Sequence, residues 1–381
     1  MRPSLFFLSL MNGAAWGGSE ELWYRTALYA AAKGYKVGCA FYEWPEKEER
    51  ISVLEKAGCR LYRLPNKGRS RRNLAEKIQN KISKWQAKQV SNALPFGEYD
   101  LTLVNLGGFE IYTDTWKHLY RRLTTYVLLF HNYSETDDFK PVKAKRLQQW
   151  MEKAAGNFFD AGRIKEVLEQ KLGIVIPNAA VVMNPVTVVP PSSPAPYPPL
   201  LDPFLFVVLA EFDTSRKAQD HLVKALSTQK WKARAWKLFL YGKGKDEKSL
   251  QQLVDDLALT EKVELKGHVT DVKSALLEAH LVLQLTHRDA MPLAVVEAMA
   301  MARPVVVSRV GDMPRWVIEG RNGWVSSDAS VEAIDAVMDR AWQQKALWPQ
   351  AGEQSFLLFK EKFPESPEDR FLQQLKEVCG S

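Results

Sequence analysis

Two carboxylates eight residues apart, Asp289 and Glu297, are the residues whose type and spacing most clearly allow chemistry. Pro292 stands between them and suits the first position of a helix, because its missing N–H is not needed there and its φ is already helical. From Pro292 to Ala302 the segment is apolar on every side except at Glu297, which predicts a buried helix carrying one carboxylate. A buried carboxylate is costly unless something pairs with it. Two kinds of partner are open: the hydroxyls of a bound ribose or sugar, or a structural base such as Arg303. At about 1.5 Å rise per residue the two carboxylates stand on the order of 12 Å apart. The helix N-terminus between them offers free N–H groups and a positive dipole end, worth about 0.3–1 kcal/mol toward an anion and up to ~2 when partly buried. Hydroxyl binder, anion seat, hydroxyl binder is the outline of a nucleotide diphosphate-sugar.

Such a constellation needs a rigid frame, and short apolar runs alternating with helical patterns supply one. In the first half the predicted strands are Leu5–Met11, Lys36–Tyr42, Leu101–Asn105, Thr125–His131, Asn157–Phe159 and Ala180–Met183. Helices are expected over Glu20–Lys33, stopped by Gly34, and over Asn73–Val90. The Pro-rich stretch Val186–Pro203 reads as a stiff extended linker. After it the alternation restarts with Leu205–Ala210, Lys237–Tyr241, Lys262–Lys266, His280–Leu285 and Pro304–Ser308. This is the pattern of an α/β chain with parallel sheets. The expected division is a first Rossmann-like domain over 1–186, a linker over 187–203, a second over 204–350, and a C-terminal helical segment over 351–381 that packs back on the first. Parallel sheets of the two domains are expected to face a central cleft.

Composition bounds the function classes. At 381 residues, 46% of them hydrophobic and 25% charged, the chain has apolar material for two cores. Leu5–Met11 follows a single basic residue and lacks a small-residue cleavage pattern, so it reads as a first strand and not as a signal peptide. No run approaches the roughly 20 apolar residues that a membrane span requires. Cys39, Cys59 and Cys379 have no metal-type spacing and read as reduced thiols of a cytoplasmic protein. The net charge of +7 points to an anionic partner. Between 67 and 89 stand eight basic residues and one acid, Glu76, with Trp85 and Ile78 interleaved. Each basic side chain near an anionic membrane contributes about 1 kcal/mol, so the stretch predicts a peripheral contact at the inner face of the membrane or, equally, a solvated helix face. No nucleic-acid recognition motif accompanies it. No metal-ligand cluster is evident, and Asp137-Asp138 and Asp255-Asp256 read as solvated charges.

Asp289 to Glu297, followed by Ala298-Met299 and Arg303-Pro304-Val305, resembles the acidic-x7-Glu motif of the family-4 retaining glycosyltransferases of GT-B fold, the group 1 glycosyl transferases. Ala210–Asp220, Tyr241–Gly244, Gly267-His268 and Gly320–Gly323 extend the resemblance over roughly 204–345. Gly17–Glu20, His131 and Asn184–Val186 continue it more weakly. The resemblance implies a catalytic set of Asp289, His131 and Lys217. It implies donor binding by Gly17, Gly18, Arg216, Lys217, Gly242, Gly244, Asp289, Ala290, Met291, Leu293 and Glu297. Glu297 would hold the ribose, Asp289 and the backbone after it the sugar, and Lys217 the diphosphate, while Gly242–Gly244 would let main chain approach the base. His131, at the carboxyl end of an apolar strand, stands where open α/β sheets place their ligands. The implied reaction is metal-independent transfer, with retention, from a nucleotide diphosphate-sugar to a glycan or lipid-linked acceptor, without a cofactor.

The sequence departs from that pattern in places. Glu211 stands where similar enzymes carry an arginine, so either Arg216 replaces it or donor binding differs. Asp289 is shorter than the usual glutamate, and Gly311-Asp312 and Arg315 replace a Gly-Gly and a glutamate. Two alternatives therefore stay open: a sugar-nucleotide epimerase or phosphorylase on the same fold, and a non-catalytic nucleotide-sugar or glycan-binding paralogue.

Overall fold

The apolar runs pair as parallel strands, the central ones buried on both faces, as sheets covered by crossover helices are. The computed structural model describes residues 2–11, 15–64, 92–107, 119–133, 135 and 139–380. Residues 1–185 with 364–381 form one unit, and 186–363 form the other. Among the described residues the first unit holds β1 (Leu5–Ser9), β2 (Val37–Tyr42), β3 (Arg60–Leu64), β4 (Leu101–Leu106), β5 (Tyr126–Phe130), β6 (Gly156–Phe159) and β7 (Ala179–Val181). Their order is β3-β2-β1-β4-β5-β6-β7. The second unit holds β8 (Phe204–Leu209), β9 (Trp236–Tyr241), β10 (Val263–Gly267), β11 (Leu281–Gln284), β12 (Val305–Ser308) and β13 (Gly323–Ser326), ordered β10-β9-β8-β11-β12-β13. Both are doubly wound, so in each the winding reverses at one boundary, β1/β4 in the first and β8/β11 in the second. Loops leaving the carboxyl ends of those strands part there and leave room for a ligand.

Several expectations are met locally. The first helix spans Gly18–Ala32, and Gly34 closes it at φ +79. The last helix runs Pro367–Gly380 and packs on the first, with Phe371 edge-on to Phe158 of β6. Two edge strands went unseen. β3 reads RLYRL, half exposed and interleaved with arginines, and β13 is four residues entered from a Gly-Arg-Asn-Gly turn. The helix expected over Asn73–Val90, the basic run 67–89 and Asp137-Asp138 lie outside the described residues.

The Pro-rich stretch is not a free connection: by its hydrogen bonds it belongs to the second unit. Prolines lack a donor but keep their carbonyls, and two of these carbonyls meet buried cations or rings. Arg303 Nη2 donates to the Pro196 carbonyl at 2.8 Å, and His280 Nε2 lies 2.9 Å from that of Pro199. The Tyr197 hydroxyl donates to the His280 carbonyl at 2.6 Å. The C-terminal division also differs from expectation. The helix Trp348–Lys362 stays in the second unit, so 364–381, and not 351–381, joins the first. That helix packs on Leu293–Ala300, and Gly352 permits it: a Cβ there would come within 2.3 Å of the Ala302 carbonyl.

His280 makes this strap sensitive to pH. Its Nδ1 accepts the Leu205 amide at 3.0 Å, so the ring is held neutral, with its proton on Nε2 toward Pro199. Burial, with the nearby Arg303 charge, lowers its pKa in the folded state. A histidine depressed on folding contributes stability that is whole above the unfolded value of about 6.5 and is lost as pH falls from there through the folded value. Chemical denaturation at pH 7.5 and pH 5 is therefore expected to show a loss of stability on acidification. The loss should be smaller in His280→Gln, which keeps only the parallel contribution of His287, also lowered by burial.

Candidate functional site

The reversal point of the second sheet brings together the loops that follow β8 and β11. After β8 the chain enters a short turn, Thr214–Lys217, anchored on Asp246, whose carboxylate accepts the Thr214 amide at 2.8 Å and its hydroxyl at 2.9 Å. The Arg216 carbonyl then accepts the Thr286 hydroxyl at 2.6 Å and the amides of His287 and Arg288 at 2.9 and 3.3 Å. These bonds lay the loops side by side, and the Lys217 ammonium donates to the Asp289 carboxylate. The other Asp289 oxygen accepts the Ala290 amide at 3.0 Å. From beyond, the Asp312 amide donates to the Ala290 carbonyl at 2.8 Å. Gly311 sits at φ +57, and a Cβ there would fall 2.0 Å from that same oxygen, so only glycine fits.

The helix that follows spans Leu293–Ala300, not Pro292–Ala302. Pro292 is its cap, with ψ 127, since the chain turns into the helix only after it; at the other end Ala302 adopts φ +55 and closes it. Early amides of a helix have no intrahelical acceptor. Among the described residues those of Met291, Leu293 and Ala294 have no hydrogen-bond partner, while Val295 N–H reaches the Pro292 carbonyl at 3.1 Å. Three unpaired donors thus lie between the Asp289 carboxylate and Glu297.

Glu297 is 5% exposed. Its Oε1 accepts both the amide and the hydroxyl of Thr187, at 2.7 and 2.6 Å. Arg303, the structural partner considered from sequence, is engaged otherwise: its guanidinium donates to the carbonyls of Leu276, Leu277, Met301, Ala302 and Pro196. Burial pushes that guanidinium down to about 10. Glu297 therefore lacks a cationic counter-ion among the described residues, and its Oε2 carries no hydrogen bond there.

The cations are arranged differently from expectation. Lys217 and Asp289, anticipated as separate contacts, form one pair with side chains 11% and 18% exposed. Arg216 pairs with Glu211, and Lys245 with Asp213 at 3.0 Å. The Arg216–Glu211 pair is solvent-exposed and worth about 0–1 kcal/mol. Arg216 Nε, by contrast, is buried with no acceptor, which costs roughly 1–3 kcal/mol. Gly242 and Gly244 are needed for a different approach from the one expected. A Cβ at 242 would meet the Ala210 carbonyl at 2.0 Å, and one at 244 the Phe212 carbonyl at 2.3 Å. The β9 turn crosses the β8 loop there, and that crossing alone demands both glycines.

In the first unit, Gly17 is the extended cap of the first helix and Gly18 its first residue. Among the described residues a side chain at 17 would meet nothing nearer than Ser19 Oγ at 4.0 Å, so no packing accounts for this glycine. His131 does not present a free ring: Nδ1 lies 2.9 Å from Asp160 Oδ2, Nε2 lies 2.6 Å from Asn105 Oδ1, and 2% of its side chain is exposed. Asn105 continues to the Ser19 carbonyl at 3.2 Å and to buried Glu20, which Lys47 and Ser9 each meet at 2.8 Å. Asn184 closes the other end on Asp160 at 3.0 Å. The sequence reading missed Asn105 and Asp160. The criterion that picked out His131, a polar residue ending an apolar strand, applies to both (LTLVN, NFFD). Among the described residues no three His, Cys, Asp or Glu side chains cluster as metal ligands do.

Residues 203–344 match the family model described as glycosyl transferases group 1. That span includes the loops after β8 and β11, the Leu293–Ala300 helix and Gly311-Asp312. The matched span lies within the second unit. Over 107 residues the chain is 31% identical to N-acetyl-alpha-D-glucosaminyl L-malate synthase of Bacillus anthracis, covering 28% of this chain and 27% of that protein. Over 195 residues it is 26% identical to an exopolysaccharide phosphotransferase of Streptomyces coelicolor, covering 51% of this chain and 20% of that one. The chain thus spans well under half the length of either relative. Beyond the matched span, likeness to the Anabaena protein HepE, solved with UDP, runs through both units. It has a TM-score of 0.72 at 13% identity, covering 98% of this chain and 100% of that one. The fold is GT-B, two Rossmann-like domains with parallel sheets.

Thr187 belongs to the Pro-rich strap and lies outside the matched span, yet it supplies both bonds to Glu297. Thr187→Val removes a hydroxyl bond to a charged, buried acceptor and is expected to lower stability by about 1.5–3 kcal/mol. Urea denaturation of the variant against the parent protein measures this.

Proposed function

We propose that the chain is a glycosyltransferase that binds a nucleotide diphosphate-sugar on its group 1 domain and transfers the sugar to a glycan or lipid-linked acceptor. The observation that carries this reading is the row of unpaired amides at Met291, Leu293 and Ala294, flanked by the Lys217–Asp289 pair and the half-used carboxylate of Glu297. Such amides and the helix dipole suit an anion, and a diphosphate is an anion flanked on both sides by hydroxyl-bearing rings. On this reading Glu297 Oε2 takes ribose hydroxyls. Asp289, with the main chain from Ala290 to Leu293, takes the donor sugar, and Lys217 and Arg216 face the diphosphate. The name of one relative, an exopolysaccharide enzyme, supports a surface-glycan role.

In the proposed reaction the bond between the sugar's anomeric carbon and the diphosphate oxygen breaks, the acceptor's hydroxyl oxygen bonds to that carbon, and the hydroxyl proton passes to the departing diphosphate. Charge develops on the departing diphosphate, where fixed donors act most strongly. The amides, the helix end and Lys217 supply the positive potential, so the reaction is assigned as metal-independent, and the proposed outcome is retention. The ring of His131, with both nitrogens engaged, is assigned to holding the carboxyl edge of the first sheet and not to the chemistry. Gly17, whose surroundings among the described residues no packing explains, and Gly18 beside it are assigned to ligand contact. The basic run 67–89 extends the proposal to an anionic membrane surface at the cytoplasmic face. No described helix is long and apolar enough to cross a membrane.

A screen of UDP-, GDP- and ADP-sugars with a glycan-lipid extract tests the reading. Release of nucleoside diphosphate is expected with one base, undiminished by EDTA, with the donor's anomeric configuration kept in the product by NMR. Glu297→Ala should weaken donor binding about tenfold or more, which corresponds to some 1.4 kcal/mol. Undiminished affinity in that variant would remove Glu297 from the donor site, and an inverted product would refute retention.

A further inference from the structure

Arg216 makes incomplete use of a guanidinium. The Nε–Nη2 edge offers two parallel N–H donors matched to two oxygens of a carboxylate or phosphate. Here Glu211 accepts from Nη2 alone, and Nε–H is buried without an acceptor. The backbone on both sides of this contact is fixed. Thr286, His287 and Arg288 donate to the Arg216 carbonyl, Gln219 Nε2 donates to the Glu211 carbonyl at 2.8 Å, and Phe212 N–H reaches the Lys243 carbonyl at 3.0 Å. What can move is the Glu211 side chain, 57% exposed, against 36% for Arg216. The neighbouring Lys217–Asp289 pair is far less exposed and correspondingly harder to exchange.

We propose that Glu211 is a displaceable counter-ion for Arg216. A nucleoside diphosphate binds by swinging the Glu211 carboxylate away and placing two phosphate oxygens on the Nε–Nη2 edge. The proposal rests on the donor-binding reading above and adds to it which of the paired cations is exchanged and what holds it beforehand. The incoming group carries more negative charge than the carboxylate it replaces and supplies the acceptor that Nε lacks. Glu211 therefore opposes ligand binding while keeping a surface arginine oriented in its absence. The sign of its effect is opposite to that of a residue which helps bind the phosphates through Arg216.

Calorimetric titration with UDP, GDP and ADP, without added metal, tests this. The nucleoside diphosphate that binds the parent protein is expected to bind Glu211→Gln about 3- to 10-fold more tightly, and Arg216→Gln about 10-fold more weakly. In the Arg216→Gln background, Glu211→Gln should give no gain, and the corresponding nucleoside, lacking phosphates, should bind all four proteins alike. Affinity unchanged or reduced in Glu211→Gln overturns the proposal and leaves the donor reading intact. A gain that persists without Arg216 also overturns it, since the effect would then be one of general charge. Failure of all three nucleotides to bind both the parent protein and Glu211→Gln overturns the donor reading and this proposal together.

Discussion

Lys217 and Asp289 lie 72 residues apart in sequence and meet in one ion pair, on which the arrangement of the second unit's site depends. The pair joins the loops after the two strands at which the sheet reverses its winding, a place the backbone leaves open. Its carboxylate also caps the Ala290 amide, and the Ala290 carbonyl is in turn held by Asp312 and crowded by Gly311. The chain can therefore enter the Leu293–Ala300 helix in one way only. The orientation of the Met291, Leu293 and Ala294 amides follows from that entry. A partly buried pair of this kind is a modest source of net stability but a strong constraint on geometry, because removing one member leaves the other's charge uncompensated.

The two units satisfy buried polar groups at the carboxyl ends of their strands in different ways. In the first, a line of hydrogen-bonded side chains runs from Lys47 and Glu20 through Asn105 and His131 to Asp160 and Asn184. Each buried donor in that line finds a fixed acceptor, which rigidifies the edge and leaves the imidazole little to offer a ligand. In the second, the corresponding edge is left incomplete: one oxygen of Glu297, the first amides of its helix and Nε of Arg216 have no partner among the described residues. Protein interiors rarely leave several such groups together.

The Pro-rich segment shows how a local signal can be right about conformation and wrong about role. Its prolines do keep it extended and out of both sheets. Yet their unopposed carbonyls are acceptors, and the buried Arg303 and His280 of the second unit use them, as the Glu297 carboxylate uses Thr187. A segment with the composition of a connector is thereby a strap across the back of the site helix, and it supplies the only described protein partner of the site's buried carboxylate.

The sequence by itself determined the α/β class, the two-unit division near residue 186 and most strands, and it singled out Asp289 and Glu297. These follow from local rules: hydrophobic period, proline and glycine punctuation, and the cost of a carboxylate in an apolar helix. It could not show β3 and β13: β3 is a half-exposed edge strand interrupted by two arginines, and β13 is a four-residue strand that opens on a glycine. Only the tertiary structure decided which charges pair. Lys217 with Asp289, Arg216 with Glu211 and Glu297 with Thr187 are contacts across 72, 5 and 110 residues, and no local pattern encodes the longer ones. The same holds for the glycines. From sequence, Gly17, Gly242 and Gly244 look alike as sites of close approach. The structure separates them, since at 242 and 244 the approaching atoms are the chain's own carbonyls, and at 17 no described atom comes near.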